Sequence, residues 1–279
     1  MPTINTNVAA IKARSNLDKV QREMNTSIAR LSSGKRITRA HDDAAGQAIA
    51  GRMESQIRGL TMAVRSAKDG QSLVDTREGA LQEVSKILQR MRELAVQSSN
   101  GISQASGVAD NDYLNLEMAA LVNELDAIRD NTKFNDTVVM STAFNFYTDI
   151  DVAGTAIQVA SFTAGAEALG VTETAVSIGV GATGIASITT VIKAVDTAIA
   201  SVNSHRATLG AVSNRFNHVV DNLTNVIANT ESARSRVEDA DFAIETTQLT
   251  RNTVLQQAAT SMIAQANAQK NSILALIQG

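Results

Sequence analysis

The 279-residue chain has no cysteine and no tryptophan, a single proline, and only two Tyr and six Phe. The missing cysteines exclude disulfides, thiolate metal sites and thiol catalysis. The one proline, Pro2, leaves every later stretch free to stay helical. With aromatics at 3% and hydrophobic residues at 44%, the apolar mass is mainly Ala, Val, Ile, Leu and Met. Such residues suit narrow helical seams better than a wide globular core. Charge is nearly balanced, at a formal −3, so nothing draws the whole chain to nucleic acid. No apolar run reaches the 18 or so residues of a membrane span. The opening MPTINTNVAAIKARSN lacks a basic start followed by an apolar run, so it does not read as a signal peptide.

Three composition zones follow one another. Residues 1–133 are charged and periodic, residues 134 to about 190 are rich in Gly, Thr, Ala and Val, and residues 191–279 return to the first pattern. Between Lys133 and Arg206 the only basic residue is Lys193. Apolar residues at 3–4 spacing predict helices over about 5–33, 44–99, 111–131, 188–236 and 241–276. Leu17, Val20, Met24 and Leu31 mark the seam of the first helix. Leu255, Met262, Ile273 and Leu276 mark that of the last. Gly34 is placed to end the first helix, Asp42 and Asp43 to cap the second, and Asn100-Gly101 to close it. The second helix is long: at 1.5 Å per residue it reaches roughly 80 Å. In the middle zone, 137–140, 156–160 and 176–178 read as short strands. The expected fold is mainly α, with long antiparallel coiled-coil helices from both termini and a small β-hairpin or irregular middle segment. Neither thin-seamed end can bury itself alone, so the economical arrangement pairs them and leaves further faces for partners.

No constellation of catalytic, cofactor-binding or metal-ligating residues is evident. His41, His205 and His218 have no ligand partners at metal spacing, and a solvent or interface role is expected for them. The run Gly179-Val-Gly-Ala-Thr-Gly184 lacks the GK[ST] ending of a phosphate loop and reads as a turn. Residues 1–41 carry eight Lys or Arg against Asp18 and Glu23. With few aromatics and an apolar seam, this excess fits subunit matching or solvated faces better than a nucleic-acid arm.

The motifs Leu31-Ser-Ser-Gly-Lys-Arg-Ile37, Asp42-Asp-Ala-Ala-Gly46, Gln56-Ile-Arg-Gly-Leu60, Asp69-Gly70, Glu78-Gly-Ala-Leu81 and Leu88-Gln-Arg-Met-Arg-Glu-Leu-Ala-Val-Gln97 resemble the N-terminal part of bacterial flagellins. Leu209-Gly-Ala211, Asn214-Arg-Phe216, Ser235-Arg-Val-Glu-Asp-Ala-Asp-Phe-Ala243, Gln256-Gln-Ala258 and Ala264-Gln-Ala-Asn267 resemble the C-terminal part. The resemblance implies a non-enzymatic, secreted, extracellular subunit of the flagellar filament that polymerises with copies of itself. It implies paired terminal helices, 1–40 with 241–279, as an inner layer. A surrounding helical core of 41–133 with 191–240 and a small surface segment, 134–190, complete the expected plan, without the large outer domains of many relatives. The implied partners are a flagellar export chaperone, the filament cap and the hook-junction proteins. Arg90 and Leu94 lie in a segment similar to the one recognised by the animal innate receptor for flagellin, where packing between subunits is the leading role. The implied subunit needs no cofactor, nucleic acid or membrane insertion. A hook–filament junction-like protein and a coiled-coil interaction module are the alternatives; the second predicts uninterrupted heptads without a Gly-rich middle. Phe134-Asn135-Asp136 departs from the family's Phe-Asn-Gly, which puts Asp at a turn position that favours glycine.

Overall fold

The computed structural model describes residues 6–99, 108–148, 156–178 and 182–278, and their side chains except at 108–110, 182–186 and 270–278. The order of elements is α1 Val8–Ser33, α2 Ala44–Ser98, α3 Val108–Asn131, β1 Lys133–Phe134, β2 Thr137–Val138, β3 Phe144–Tyr147, β4 Ala156–Val159, α4 Ala166–Leu169, α5 Ala182–Glu238 and α6 Phe242–Gln278. Contacts divide the chain into two units, one of 1–57 with 228–279 and one of 58–227.

In the first unit α1 packs against α6. Asn7 caps α1, its side chain accepting from the Ala10 N–H at 3.1 Å. Gly34 ends the helix at φ 71°, in the left-handed region, and its N–H returns to the Arg30 carbonyl. The two aspartates that follow divide the expected capping role. Asp43 Oδ1 accepts from the Gly46 N–H at 2.9 Å and caps α2. Asp42 Oδ2 instead accepts from the Thr38 and Arg39 N–H groups and the Thr38 hydroxyl, folding the loop before it. Those bonds, the Thr38 hydroxyl first, hold the Asp42 carboxyl below its usual pKa. Asp241 caps α6 through the Ala243 and Ile244 N–H groups.

The second unit has a large apolar core, with a smaller cluster of Leu60, Ala63 and Leu223 beside it. α2 contributes Leu73, Leu81, Leu88 and Met91, α3 contributes Met118 and Leu125, and α5 contributes Val195, Val202 and Phe216. The 134–190 segment is part of this core and not only a surface: Val139, Met140, Ile157, Val159, Ala164 and Val176 are buried in it. β1 and β2 form a two-residue hairpin whose turn residues, Asn135 and Asp136, have φ of 49° and 62°. Positive φ at both positions is what a tight I′ turn demands, so Asp136 occupies the glycine-favouring conformation despite its side chain. β3 and β4 pair antiparallel, Phe144 opposite Val159 and Tyr147 opposite Ala156. The alternation at 176–178 is real in burial, with Val176 and Ile178 inside and Ser177 outside, but it is not a strand. Its backbone is held by a side chain: Asn115 Oδ1 accepts from the Ile178 N–H at 2.8 Å and Asn115 Nδ2 donates to the Ile178 carbonyl at 3.1 Å.

A buried cation organises these short elements. Arg77, on α2, is fully enclosed and donates to the carbonyls of Ala160, Thr142 and Val139. One guanidinium thus supplies the donors that a larger sheet would have supplied from its own backbone. Burial lowers its pKa, yet a guanidinium stays charged. Beside it His205 stacks on Phe162, ring centroids 4.1 Å apart and planes 19° apart. Burial first, and the Arg77 charge second, hold His205 below the ordinary 6.5, so it sits there neutral at pH 7.

Candidate functional site: the seam between the chain ends

Burial along α1 recurs at Ala10, Ala13, Leu17, Val20, Met24, Ser27 and Leu31, the 3–4 alternation of a heptad seam. Along α6 it recurs at Glu245, Leu249, Asn252, Gln256, Ala259, Ile263 and Ala266. The helices run antiparallel. Asn7 Nδ2 donates to the Ala266 carbonyl at 3.1 Å at one end, and Arg30 Nη1 reaches Glu245 Oε1 at 3.0 Å near the other. Beyond that pair the chains meet as backbone. Lys35 bridges Asp239, the Arg36 N–H donates to the Glu238 carbonyl at 2.7 Å, and the Ala240 N–H donates to the Gly34 carbonyl at 2.9 Å. Lys35 Nζ adds an ion pair to Glu238 at 2.5 Å.

Leu17, Val20, Met24 and Leu31 therefore lie half-buried on the α1 line. The register expected for α6 differs by one residue. Leu255 and Met262 are 40% and 63% exposed and stand beside the line that Gln256 and Ile263 occupy. The reason is physical: the facing line of α6 is largely polar or small, so a search for large apolar residues finds the adjacent stripe. The side chains of Ile273 and Leu276 lie outside the described residues.

The deepest positions of this seam are polar. Ser27, Glu245 and Asn252 are 2%, 5% and 6% exposed, whereas among the described side chains no Leu, Val, Ile or Met of the seam is fully buried. Apolar burial drives association at about 25 cal/mol per Å², and here much apolar area stays in water. Val8, Ile11 and Ile28 on α1, and Phe242, Ile244, Val254, Leu255 and Met262 on α6, are exposed.

The second expected contact region divides. Arg90 is on the surface, its Nε on Glu117 Oε1 at 2.8 Å and its Nη1 on Glu93 Oε2 at 3.1 Å, and these acids raise its pKa. Leu94 is fully buried in the core of the second unit. That corrects its placement beside Arg90 as a contact residue: in this fold a partner cannot touch the Leu94 side chain. Arg92 pairs with Asp196 of α5 at 2.7 Å, within the chain.

Among the described residues no group of three or more His, Asp or Glu could hold a metal ion, and no helix is long and apolar enough to cross a membrane. His41 is exposed and its Nε2 lies 3.2 Å from Asp42 Oδ1. The loop expected at 179–184 has its first three residues outside the described set, and the rest open α5. Arg77 was not singled out in the sequence, and His205, expected in a solvent or interface role, is instead half-buried against Phe162. Arg77 stands between Thr76 and Glu78 in a helix where nothing in the spacing distinguishes a buried arginine from a solvated one. The one available signal is that it falls three residues after the buried Val74 and four before Leu81, on the apolar stripe itself.

A helical protein whose first and last helices pair along an antiparallel heptad seam, and whose second core is also built on long helices, is the class these features define. The family model for the bacterial flagellin N-terminal helical region matches residues 4–145, and that for the C-terminal helical region matches residues 192–277. The chain belongs to the bacterial flagellin family. It is 47% identical to flagellin E of Vibrio cholerae serotype O1 over 142 residues, 51% of this chain and 37% of that protein. It is 49% identical to a flagellin of Salmonella muenchen over 138 residues, 50% of this chain and 27% of that protein. The chain thus spans about a third of the length of these curated relatives. Among solved structures, Bacillus cereus flagellin is 30% identical with a TM-score of 0.46, covering 57% of this chain and 88% of that one.

Proposed function

We propose that the chain is a structural subunit that polymerises with copies of itself into a bacterial flagellar filament outside the cell, and that it catalyses nothing. One observation carries this reading beyond family membership: among the described residues the paired ends leave eight large apolar side chains exposed, including Phe242, Val254, Leu255 and Met262 on α6. A monomer gains little by keeping such a helix pair ordered, while contacts repeated between subunits offset the ordering cost. A surface that meets a different surface on the next copy extends into a filament when the rotation between copies does not close a ring. In this arrangement Leu255 and Met262 face a neighbouring subunit, while Leu17, Val20, Met24 and Leu31 face α6 of their own chain.

The division into an inner layer of 1–40 with 241–279, a surrounding core of 41–133 with 191–240, and a segment 134–190 belongs to the same proposal. So do the export chaperone, filament cap and hook-junction proteins as partners. Recognition by the host innate receptor, if it uses this region, falls to Arg90 and its exposed neighbours on α2 and not to the Leu94 side chain. Electron microscopy of the purified chain after nucleation tests the reading. Filaments are expected; a chain that stays monomeric at concentrations where a known flagellin polymerises would sink it. A hook–filament junction-like role shares the paired ends but predicts short assemblies that do not elongate in the same experiment.

A further inference from the structure

The Arg30–Glu245 pair is a poor device for stability. Glu245 is 5% exposed, and one bond of 3.0 Å joins Arg30 Nη1 to its Oε1. Glu245 Oε2 and Arg30 Nε are both buried without a partner. Two desolvated charges held by a single bond repay little of their desolvation, and two apolar residues would bind the helices more tightly. What such a pair supplies is discrimination between alignments. One line of the seam discriminates weakly, because it repeats residues without charge at every heptad: Ala10, Leu17 and Met24 on α1, and Leu249, Gln256 and Ile263 on α6. The other line buries the uncharged polar Ser27 and Asn252 beside Glu245.

We propose that Arg30 and Glu245 are the register-setting residues of the terminal helix pair, fixing which heptad of α1 faces which heptad of α6. The inference rests on the filament reading and deepens it, since a lateral surface that repeats along a filament requires every subunit to present the same alignment. The contacts at Asn7–Ala266 and Arg30–Glu245 place Leu17 opposite Gln256 by interpolation. A slip of one heptad that brings Leu17 opposite Leu249 sets Glu245 near Glu23, a like charge, and leaves Arg30 near Glu238, which already pairs with Lys35. The opposite slip, with Leu17 opposite Ile263, carries Glu245 past the end of α1 at Ser33 and sets Arg30 against Asn252. Both slips cost the electrostatic match, while the apolar contacts remain nearly equivalent. The backbone bridge at Lys35–Asp239 holds the end of the pair, one helical turn past Arg30, and the ion pair carries the alignment into the seam.

The chain has no native cysteine, so introduced pairs report the register directly. Three full-length chains carry Leu17→Cys with Gln256→Cys, with Leu249→Cys, or with Ile263→Cys, and disulfide yield is read under a glutathione redox buffer. Without other changes the 17–256 pair should exceed each slipped pair at least tenfold. Adding Arg30→Met should bring the slipped pairs to within about threefold of it, and so should Arg30→Met with Glu245→Met, although the double variant restores apolar packing. The charge swap Arg30→Glu with Glu245→Arg should restore the tenfold excess, which a merely structural loss does not predict. An undiminished 17–256 excess in Arg30→Met and in the double Met variant overturns the proposal and assigns the register to the backbone bridge alone. Absence of cross-linking in all three pairs overturns the helix pairing itself, a failure of the underlying reading that is distinguishable from failure of the register device.

Discussion

Gly70 and Gly79 both lie within α2, and replacing each by Ala should shift stability in opposite directions. A Cβ on Gly70 would stand 2.6 Å from Cζ and 2.9 Å from Cε1 of Phe216, and 3.1 Å from Cγ of Phe146. Those rings are fixed against each other edge to face, centroids 5.7 Å apart, and Phe216 is fully buried. Nothing flexible is available to yield, so the insertion costs about 2–3 kcal/mol of overpacking. Ala in place of Gly in a helix interior returns about 1 kcal/mol, which leaves a net destabilisation of about 1–2 kcal/mol. A Cβ on Gly79 meets nothing within 4 Å. Gly79→Ala should therefore gain about 0.5–1 kcal/mol from propensity and a less flexible unfolded chain. Urea unfolding of the full-length chain, followed by helical circular dichroism with the two variants measured side by side, gives the sign directly. A Gly70→Ala midpoint that rises as much as that of Gly79→Ala would refute the claim that a close ring contact fixes glycine there.

Three further outcomes follow from the second unit. Arg77→Leu removes three charge-assisted bonds to the carbonyls of Ala160, Thr142 and Val139. Each is worth roughly 1.5–3 kcal/mol before relaxation, so a loss of at least about 3 kcal/mol is expected, with earlier hydrogen exchange in 139–148 and 156–160; a change below about 1 kcal/mol would contradict the organising role. His205 is held below 6.5 in the folded chain, so the unfolded chain binds its proton first, and stability present above that pH falls as pH drops through the window beneath it. His205→Gln should flatten that decline in urea midpoints as pH falls below 6.5, and an unchanged slope counts against a neutral, stacked His205. Asp136→Gly should raise stability by about 0.5–1 kcal/mol, because φ of 62° costs a side chain energy that glycine does not pay; a lower midpoint would mean that the Asp side chain has a compensating role.

The helices were legible because their apolar residues recur at 3–4 spacing over many turns, and the caps at Asn7, Gly34 and Asp43 agree with that pattern. Within the chain, Glu245, Asn252 and Gln256 take the buried line of α6 while Leu255 and Met262, the expected seam residues, stay exposed. Hydrophobicity marks what must be covered, and in a subunit that assembles the covering can come from another copy. In the middle segment the strands expected at 137–140 and 156–160 appear as β2 and β4, their partners β1 and β3 were not read from the sequence, and 176–178 is not a strand. There the alternation serves burial, and Asn115 takes the hydrogen bonds a neighbouring strand would provide. The roles of Arg77 and His205 escape local spacing because their partners are remote in sequence: Val139, Thr142 and Ala160 for Arg77, Phe162 for His205.

The central claim is that the chain assembles through its paired ends. Sedimentation and electron microscopy of nucleated samples, comparing the full chain with one lacking residues 241–279, test it most directly. The account predicts filaments from the full chain and none from the truncated one, whose 58–227 unit keeps its helical circular dichroism. Filaments of normal form from the truncated chain would contradict it.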